Sequence, residues 1–378
     1  MKLAFQSSLH LVGLMALAAS SPVAAQSRPS GPQAGASKSP AQLTPARRKA
    51  VVTALARRLR SDYVFPDVGN TLADALTAKL KHGGYDQAAT APALSEALTR
   101  DLREIGKDAH FRVRFAPGYQ PPPSNLDKPT DSAHAAMARR MVAQQGFGIS
   151  AVQRLPGNIG YLDVRGFGPT PLVADAYAAA MSLLSGTDAL IVDMRRNGGG
   201  EPESVTELVS HLFAEGDVRH LNDLYSRTDG RTVSYRTIPQ VAVHYTRPVY
   251  VLTSRMTFSG GEEFAYDLQT QKRATLVGEV TGGGANPGDN VPLAEGIIAF
   301  IPTGRAINPV TKTNWEHVGV HPDLVTSASD AMKIAYAASL KDVIAKADDP
   351  EQREGLSGLL LRVEKGEVSL PSYTPPVR

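Results

Sequence analysis

The sequence contains no cysteine, which excludes disulfides, thiol catalysis and cysteine-ligated metal sites. An excess of charge of one sign is also lacking, since 40 Lys and Arg residues stand against 37 Asp and Glu residues. A balance this close to zero gives no electrostatic reason to expect nucleic acid or an anionic membrane surface as a partner. Because disulfides are excluded, the fold must be stabilised by an ordinary hydrophobic core.

An apolar run near the N-terminus is too short to cross a membrane. Residues 9–19 are apolar apart from His10 and Gly13, whereas a span needs roughly 20 predominantly apolar residues. Lys2 precedes the run, and Val23-Ala24-Ala25 follows it with the small residues of a cleavage site. We expect residues 1–25 to be a signal peptide and the mature protein to be periplasmic or secreted, without a membrane span.

The next part of the sequence predicts a linker and then a small helical domain. Residues 26–43 are rich in Ser, Pro and Gly, which is typical of a flexible linker. Three amphipathic segments follow, beginning with an N-cap at Thr44-Pro45 and ending at Gly106. The segment after Gly106 alternates apolar and basic residues like a strand. We include this segment in the helical domain, which we assign to residues 44–116. A Pro-rich connecting segment covers residues 117–150.

The remainder alternates between strand and helix patterns. Buried strands are predicted at residues 159–164, 189–193 and 249–253, with helices at 171–184, at 202–213 and from about 259. This alternation indicates an α/β fold with a mostly parallel sheet and helices packed against it. We assign residues 151–346 to this core and residues 347–378 to a C-terminal helical tail.

A candidate nucleophile lies where one of these strands gives way to a helix. After Thr253 a short polar turn leads to Ser259, which opens a helix with Gly260 and Gly261 behind it. Backbone N–H groups at a helix start can stabilise the anion that forms on an attacked carbonyl. Serine is also a common N-cap, so the local pattern alone fits a purely structural role as well.

Two further segments have the residue types that a serine nucleophile needs. Asn197-Gly-Gly-Gly200 follows a buried strand, and its glycines allow close approach of the backbone to a ligand. Its spacing matches neither a phosphate loop nor a dinucleotide fingerprint, and a structural turn stays open. His110 lies between the helical domain and the first strand, where a domain boundary could place it over a cleft. A structural histidine is the alternative.

Six motifs in order resemble one family of serine peptidases. They resemble the peptidases related to tail-specific proteases, tricorn core protease and the repeats of interphotoreceptor retinoid-binding protein. The resemblance spans about residues 106–325 and implies a ClpP/crotonase-like α/β core preceded by the helical domain. The motifs are Lys107-Asp-Ala-His110-Phe, Gly157-Asn-Ile-Gly-Tyr161, Asp193 to Gly200, Thr257-Phe-Ser259, Gly278-Glu-Val-Thr-Gly282 and Trp315-Glu316 to Asp323.

The family has two catalytic variants, and the sequence resembles the one without a lysine base. The carboxy-terminal-processing branch carries a lysine about 25 residues after the serine and a PDZ domain before the core. Here position 284 is glycine, Lys272 is the nearest lysine, and residues 115–157 are too few for a PDZ domain. The resemblance therefore implies the tricorn/retinoid-binding-like branch, which uses Ser, His and Glu.

That branch implies a role for each candidate residue. His110 is the general base, and Glu316 is the carboxylate that orients it. The backbone N–H of Gly198 or Gly199, together with that of Gly260, holds the oxyanion.

The resulting hypothesis is a serine-type peptidase that cleaves peptide or protein substrates through an acyl-enzyme on Ser259. It implies no metal, nucleotide or organic cofactor and makes no prediction of oligomeric state. One alternative is a non-catalytic protein that binds apolar, retinoid-like ligands on the same fold. Another is an acyl-CoA enzyme of the crotonase type, whose chemistry needs no serine at a helix start.

Overall fold

The computed structural model describes residues 42–120 and 132–375. The expected signal peptide, and all of the expected linker except its last two residues, lie outside this range. The helices within it are α1 Pro45–Asp62, α2 Pro66–Lys81, α3 Ala91–Gly106, α4 Ser132–Gln144, α5 Thr170–Leu184, α6 Pro202–Ser210, α7 Gly260–Thr270, α8 Ala331–Lys346 and α9 Pro350–Glu364. The strands are β1 Arg112–Phe115, β2 Ile149–Leu155, β3 Ile159–Val164, β4 Ala189–Asp193, β5 His220–Ser226, β6 Thr232–Arg236, β7 Val249–Thr253, β8 Thr275–Gly278, β9 Gly288–Pro292, β10 Ile297–Pro302, β11 Gly304–Ile307 and β12 Leu324–Val325.

A six-stranded sheet forms the centre of the α/β core. Its strand order is β12-β8-β7-β4-β3-β2, and every neighbouring pair is parallel except β2 and β3. Helices α5, α6 and α7 pack on one face, and α8 and α9 cover the other. Because both faces are covered, every residue of β4 and of β7 is buried, which explains their continuous apolar runs. The prediction of a mostly parallel α/β core is confirmed.

The N-terminal helices share their hydrophobic core with strands from the second half of the chain. Phe111 and Val113 around β1 pack in one cluster with Leu55 of α1, Leu98 of α3 and Ile301 of β10. Strand β1 pairs with β10, which in turn pairs with β9, in a separate antiparallel sheet. The helical region and the α/β core are therefore joined by β-pairing, which the alternation of the sequence does not predict.

Some boundaries differ from the sequence-based assignment. Leu43 is buried in the helical cluster, and Gln42 bridges to Thr90, so ordered packing begins before residue 44. The Pro-rich connecting segment contains α4, and a small antiparallel sheet, β11-β5-β6, was not predicted because its strands are short and mostly only half-buried. In the described residues we find no helix with both the length and the apolar character that a membrane crossing requires.

Candidate active site

Ser259 occupies a strained turn at the carboxyl edge of the central sheet. Strand β7 ends at Thr253, and α7 begins directly after the serine, as the sequence predicts. Ser259 has φ 53° and ψ −121°, a conformation that a non-glycine residue adopts at a cost of about 1–3 kcal/mol. Strain of this kind is concentrated at functional sites, and a serine with positive φ between a strand and a helix is the geometry of a nucleophile elbow.

A buried carboxylate links this turn to the loop that follows β8. Glu262 accepts the backbone N–H of Ser259 at 2.9 Å and the N–H groups of Gly283 at 2.7 Å and Gly284 at 2.9 Å. The hydroxyl of Thr281 donates to the same carboxylate at 2.5 Å. Burial raises the pKa of Glu262, and these four donors act against that rise. The serine turn and the 281–284 loop are therefore held as one unit.

The glycine run after β4 lies against the serine. A side chain at Gly199, which has φ 98°, would place its Cβ 2.7 Å from the Cβ of Ser259, so only glycine permits this approach. The N–H of Gly199 donates to Oδ1 of Asn197 at 2.8 Å, and the N–H of Gly198 donates to the carbonyl of Arg165 at 3.3 Å. The two expected oxyanion donors in the glycine run, Gly198 and Gly199, thus have partners inside the protein.

The N–H of Gly260, the third expected donor, lies at the same place as the N–H of Gly200, which was not expected. Gly200 and Gly260 line a cleft together with Ser259. Among the hydrogen bonds of the described residues, neither N–H has an acceptor. A Cβ on Gly260 would lie 3.1 Å from the nitrogen of Gly200, so the two groups are neighbours. Gly200 was missed by sequence reasoning because a run of three glycines does not reveal which N–H is left without a partner.

His110 lies beside the ring of the residue that precedes the nucleophile. Its imidazole is 4.5 Å from the ring of Phe258 and 5.9 Å from that of Phe300, measured between centroids, and its side chain is 8% exposed. Neither ring nitrogen has a hydrogen-bond partner among the described residues. The imidazole and Ser259 are therefore not hydrogen-bonded to each other.

Two carboxylates, rather than one, approach this imidazole. Asp108 Oδ1 lies 3.6 Å from Nδ1 of His110, and one side-chain atom each of Asp108, His110 and Glu316 lie within 4.8 Å of one another. Asp108 also accepts the backbone N–H of His110 at 2.9 Å and the amide of Asn286 at 3.0 Å. Sequence reasoning assigned no role to Asp108, although its position two residues before the histidine was visible. Carboxylate and imidazole are also ligand types that a divalent metal accepts.

The two carboxylates differ in their protonation. Burial, and then the negative charge of Asp108, raise the pKa of Glu316 to about 8. Burial alone would raise the pKa of Asp108 too, but its contacts with His110 and Asn286 hold it below the ordinary value. At neutral pH Asp108 is therefore ionised and Glu316 holds a proton. Oε2 of Glu316 accepts the N–H of Ala285 at 2.5 Å, and Oε1 has no partner among the described residues.

The structure also explains why position 284 is glycine and why Lys272 is remote. A Cβ on Gly284 would collide with the ring of Phe258 and lie 2.7 Å from Cε1 of His110. A side chain at 284 and the imidazole of His110 therefore compete for the same space. Lys272 follows the far end of α7, roughly 16 Å along the helix axis from Ser259 at 1.5 Å per residue.

Two protein-family models match most of the chain. Residues 158–326 match the model of peptidase family S41, and residues 43–146 match the model described as the N-terminal domain of that peptidase in eukaryotic IRBP. These two matches do not overlap and together cover well over half of the 378 residues. The chain belongs to peptidase family S41.

Curated relatives match part of the chain. Carboxyl-terminal-processing peptidase 2 of Arabidopsis thaliana chloroplasts is 29% identical over an alignment of 189 residues, and the alignment covers 46% of this chain and 34% of the relative. The tail-specific protease of Haemophilus influenzae is 29% identical over 96 residues, which are 25% of this chain and 13% of the relative. The chain thus matches about a third or less of the length of these relatives.

The fold is shared with a solved structure. A candidate peptidase from Parabacteroides merdae superposes with a TM-score of 0.53 and 19% identity, over 85% of this chain and 99% of that chain. At this identity the likeness concerns the fold, and it supports the α/β core with its N-terminal helical region.

Proposed function

We propose that the protein is a serine-type peptidase that cleaves peptide bonds through an acyl-enzyme on Ser259. The observation that carries the proposal is the strained serine at the start of α7, which shares a cleft with two N–H groups that have no acceptor among the described residues. Membership of peptidase family S41 supports the same reaction class, and peptides or proteins are the substrates that it implies.

In this mechanism the hydroxyl oxygen of Ser259 attacks the carbonyl carbon of the scissile bond. The resulting oxyanion accepts hydrogen bonds from the N–H groups of Gly200 and Gly260. Gly200 thus takes the role that the sequence gives to Gly198 or Gly199. Losing one such donor typically reduces the rate by about 10²–10³. When the intermediate collapses, the amine leaves and the acyl group stays on the serine until water attacks it.

His110 transfers the protons in this scheme. It takes the proton of the serine hydroxyl and returns it to the leaving amine, which an imidazole can do near neutral pH. A carboxylate orients the ring and stabilises the imidazolium that forms. The sequence resemblance gives this role to Glu316, and the ionised state of Asp108 at neutral pH supports a share for Asp108.

A fluorophosphonate probe tests the proposal directly. We expect the probe to form a covalent adduct on Ser259, identified by peptide mass spectrometry, because an activated serine attacks phosphorus as it attacks a carbonyl. A serine that only caps a helix is expected to react with the probe no faster than the other serines of the folded protein. Absence of an adduct on Ser259, in protein that is folded by circular dichroism, would contradict a catalytic role.

We further propose that the protein works outside the cytoplasm, in the periplasm or secreted. The proposal rests on the N-terminal pattern that ends at Val23-Ala24-Ala25. When the full chain is expressed in a bacterial host, the recovered extracytoplasmic protein is expected to begin at Gln26. Edman sequencing or intact mass decides this, and an exported protein that retains Met1 would count against a cleaved signal.

A further inference from the structure

The cleft beside Ser259 contains a buried acid that the proposed mechanism does not use. Glu263 lines this cleft and is 6% exposed, and its Oε1 accepts the side-chain amide of Asn222 at 3.1 Å. In the part of the chain that the structure describes, no other charged side chain lines the cleft. Apolar residues form much of the rest of the wall, namely Pro202, Leu224, Ala285, Pro287, Ala306 and Trp315.

The surroundings of Glu263 supply acceptors rather than cations. Asp267 lies one helical turn further along α7 and is 1% exposed, and Glu203 of α6 adds negative charge nearby. Oδ1 of Asp267 and Oδ1 of Asn222 are buried and have no hydrogen-bond partner among residues 42–120 and 132–375. Among the ion pairs of the described residues, none involves Glu263 or Asp267. A buried carboxylate is costly unless it is paired, so this group is electrostatically incomplete.

The protonation of Glu263 fits this description. Burial, and then the charge of Glu203, raise the pKa of Glu263 to about 7, and the hydrogen bond from Asn222 acts in the opposite direction. Burial and the proximity of Glu263 also raise the pKa of Asp267. The phenol of Tyr235 on β6, which donates to Glu203 at 2.8 Å, is a neutral neighbour. A cation in the cleft would favour the ionised form of Glu263.

The position of the cleft identifies which part of a substrate would enter it. Its wall includes the nucleophile and both proposed oxyanion donors, Ser259, Gly200 and Gly260. These groups contact the carbonyl of the scissile bond. The side chain nearest to that carbonyl belongs to the residue on its acyl side, so that side chain is the one that reaches Glu263.

We propose that Glu263 is a specificity-determining residue that binds the ammonium group of a lysine, so that the peptidase cleaves after lysine. An ammonium group offers three donors and a positive charge, which matches a buried carboxylate in the cleft that no cation accompanies among the described residues. The free space in the cleft is about 30 Å³, which is room for the ammonium group alone, so the four methylene groups of the lysine stem would lie outside this space. The planar fork of arginine is larger and fits less well. This inference rests on the proposed function, of which it names the substrate class.

Matched fluorogenic peptides that differ only in the residue before the scissile bond test the proposal. Lysine and norleucine have the same aliphatic stem, and only lysine carries the ammonium. We expect kcat/KM for the lysine peptide to exceed that for the norleucine peptide by roughly tenfold or more, as for a charge-assisted hydrogen bond. Arginine should fall between them. Equal kcat/KM values for lysine and norleucine would overturn the inference while leaving the peptidase function intact.

Two substitutions distinguish the effect of the Glu263 carboxylate inside the cleft from the effect of the negative charges around it. Glu263→Gln keeps the shape and removes the charge, and it is expected to bring the lysine-to-norleucine ratio close to one. Glu203→Gln is the matched control, because Glu203 is exposed and lies outside the cleft, and it should keep most of the preference. If both substitutions lower the ratio equally, the preference comes from the overall field and the assignment to Glu263 is wrong.

A binding measurement keeps the inference independent of catalysis. In the Ser259→Ala background, a peptide ending in lysine should bind more tightly than one ending in norleucine, measured by fluorescence anisotropy. The difference should disappear when Glu263→Gln is added. If Glu263→Gln does not fold, the pH dependence in the Ser259→Ala protein decides. The lysine preference should grow between pH 6 and 8, as Glu263 ionises while lysine stays charged, and a flat ratio contradicts the proposal.

Discussion

Ser259→Ala is expected to lower kcat/KM for peptide hydrolysis by roughly 10⁵–10⁶-fold, the size of effect seen when a nucleophile is removed from a serine peptidase. The substitution removes the only atom that can form the acyl-enzyme, while the N–H groups of Gly200 and Gly260 stay in place. The fluorophosphonate adduct should vanish together with the activity. Turnover with a fluorogenic peptide and adduct formation measure the two effects.

Stability should change little in the same variant. Serine and alanine are almost equally disfavoured at φ 53°, and a lost N-cap costs about 1 kcal/mol. Ser182→Ala is the matched control, since Ser182 is exposed on α5 and far along the chain from the site. Undiminished turnover of folded Ser259→Ala would falsify the assignment of the nucleophile.

His110→Ala is expected to cost nearly as much as Ser259→Ala, because members of one catalytic unit are not additive. Lys272→Ala should change kcat/KM little, since Lys272 lies beyond the far end of α7. The double variant Ser259→Ala/His110→Ala should then be hardly less active than either single variant. A dead Lys272→Ala protein beside an active His110→Ala protein would move this chain to the lysine-dependent branch and leave His110 structural.

The pH profile gives a second measurement of the same assignment. An imidazole base loses function when it gains a proton, so kcat/KM should fall on the acidic side of the profile. An amine base would place the corresponding fall near pH 10. Because burial raises the pKa of Glu316 to about 8, its ionisation is expected to add a further change on the alkaline side, which Glu316→Gln should remove.

The raised pKa of Glu316 also predicts how stability depends on pH. When the pKa of a carboxyl is higher in the folded state than in the unfolded state, the protonated carboxyl favours folding. This stabilisation is fully present below the unfolded-state pKa and is lost as the pH rises through the folded-state pKa. Between about pH 4.5 and pH 8 Glu316 therefore lowers the stability as pH rises.

The sequence by itself determined the local geometry around the nucleophile. The apolar run of β7, the polar turn and the glycines after Ser259 specify a buried strand, a sharp turn and a helix start through side-chain periodicity and backbone freedom, which act over a few residues. The same periodicity determined the parallel sheet, because strands covered on both faces need continuous apolar runs. These parts of the prediction required no knowledge of distant residues.

Only the tertiary structure decided which groups lie near the turn that contains Ser259. His110 and Glu316 are far apart in the sequence, and they approach because β1 pairs with β10 and Glu262 holds the 281–284 loop. Within the described part of the chain the N–H of Gly200 has no acceptor, whereas the N–H groups of Gly199 and Gly198 donate to Asn197 and Arg165. The neighbours of Glu263, Asn222 of β5 and Glu203 of α6, are likewise distant from it in the sequence. Such pairings depend on which surfaces are brought together in the folded chain, and side-chain spacing along the sequence does not encode them.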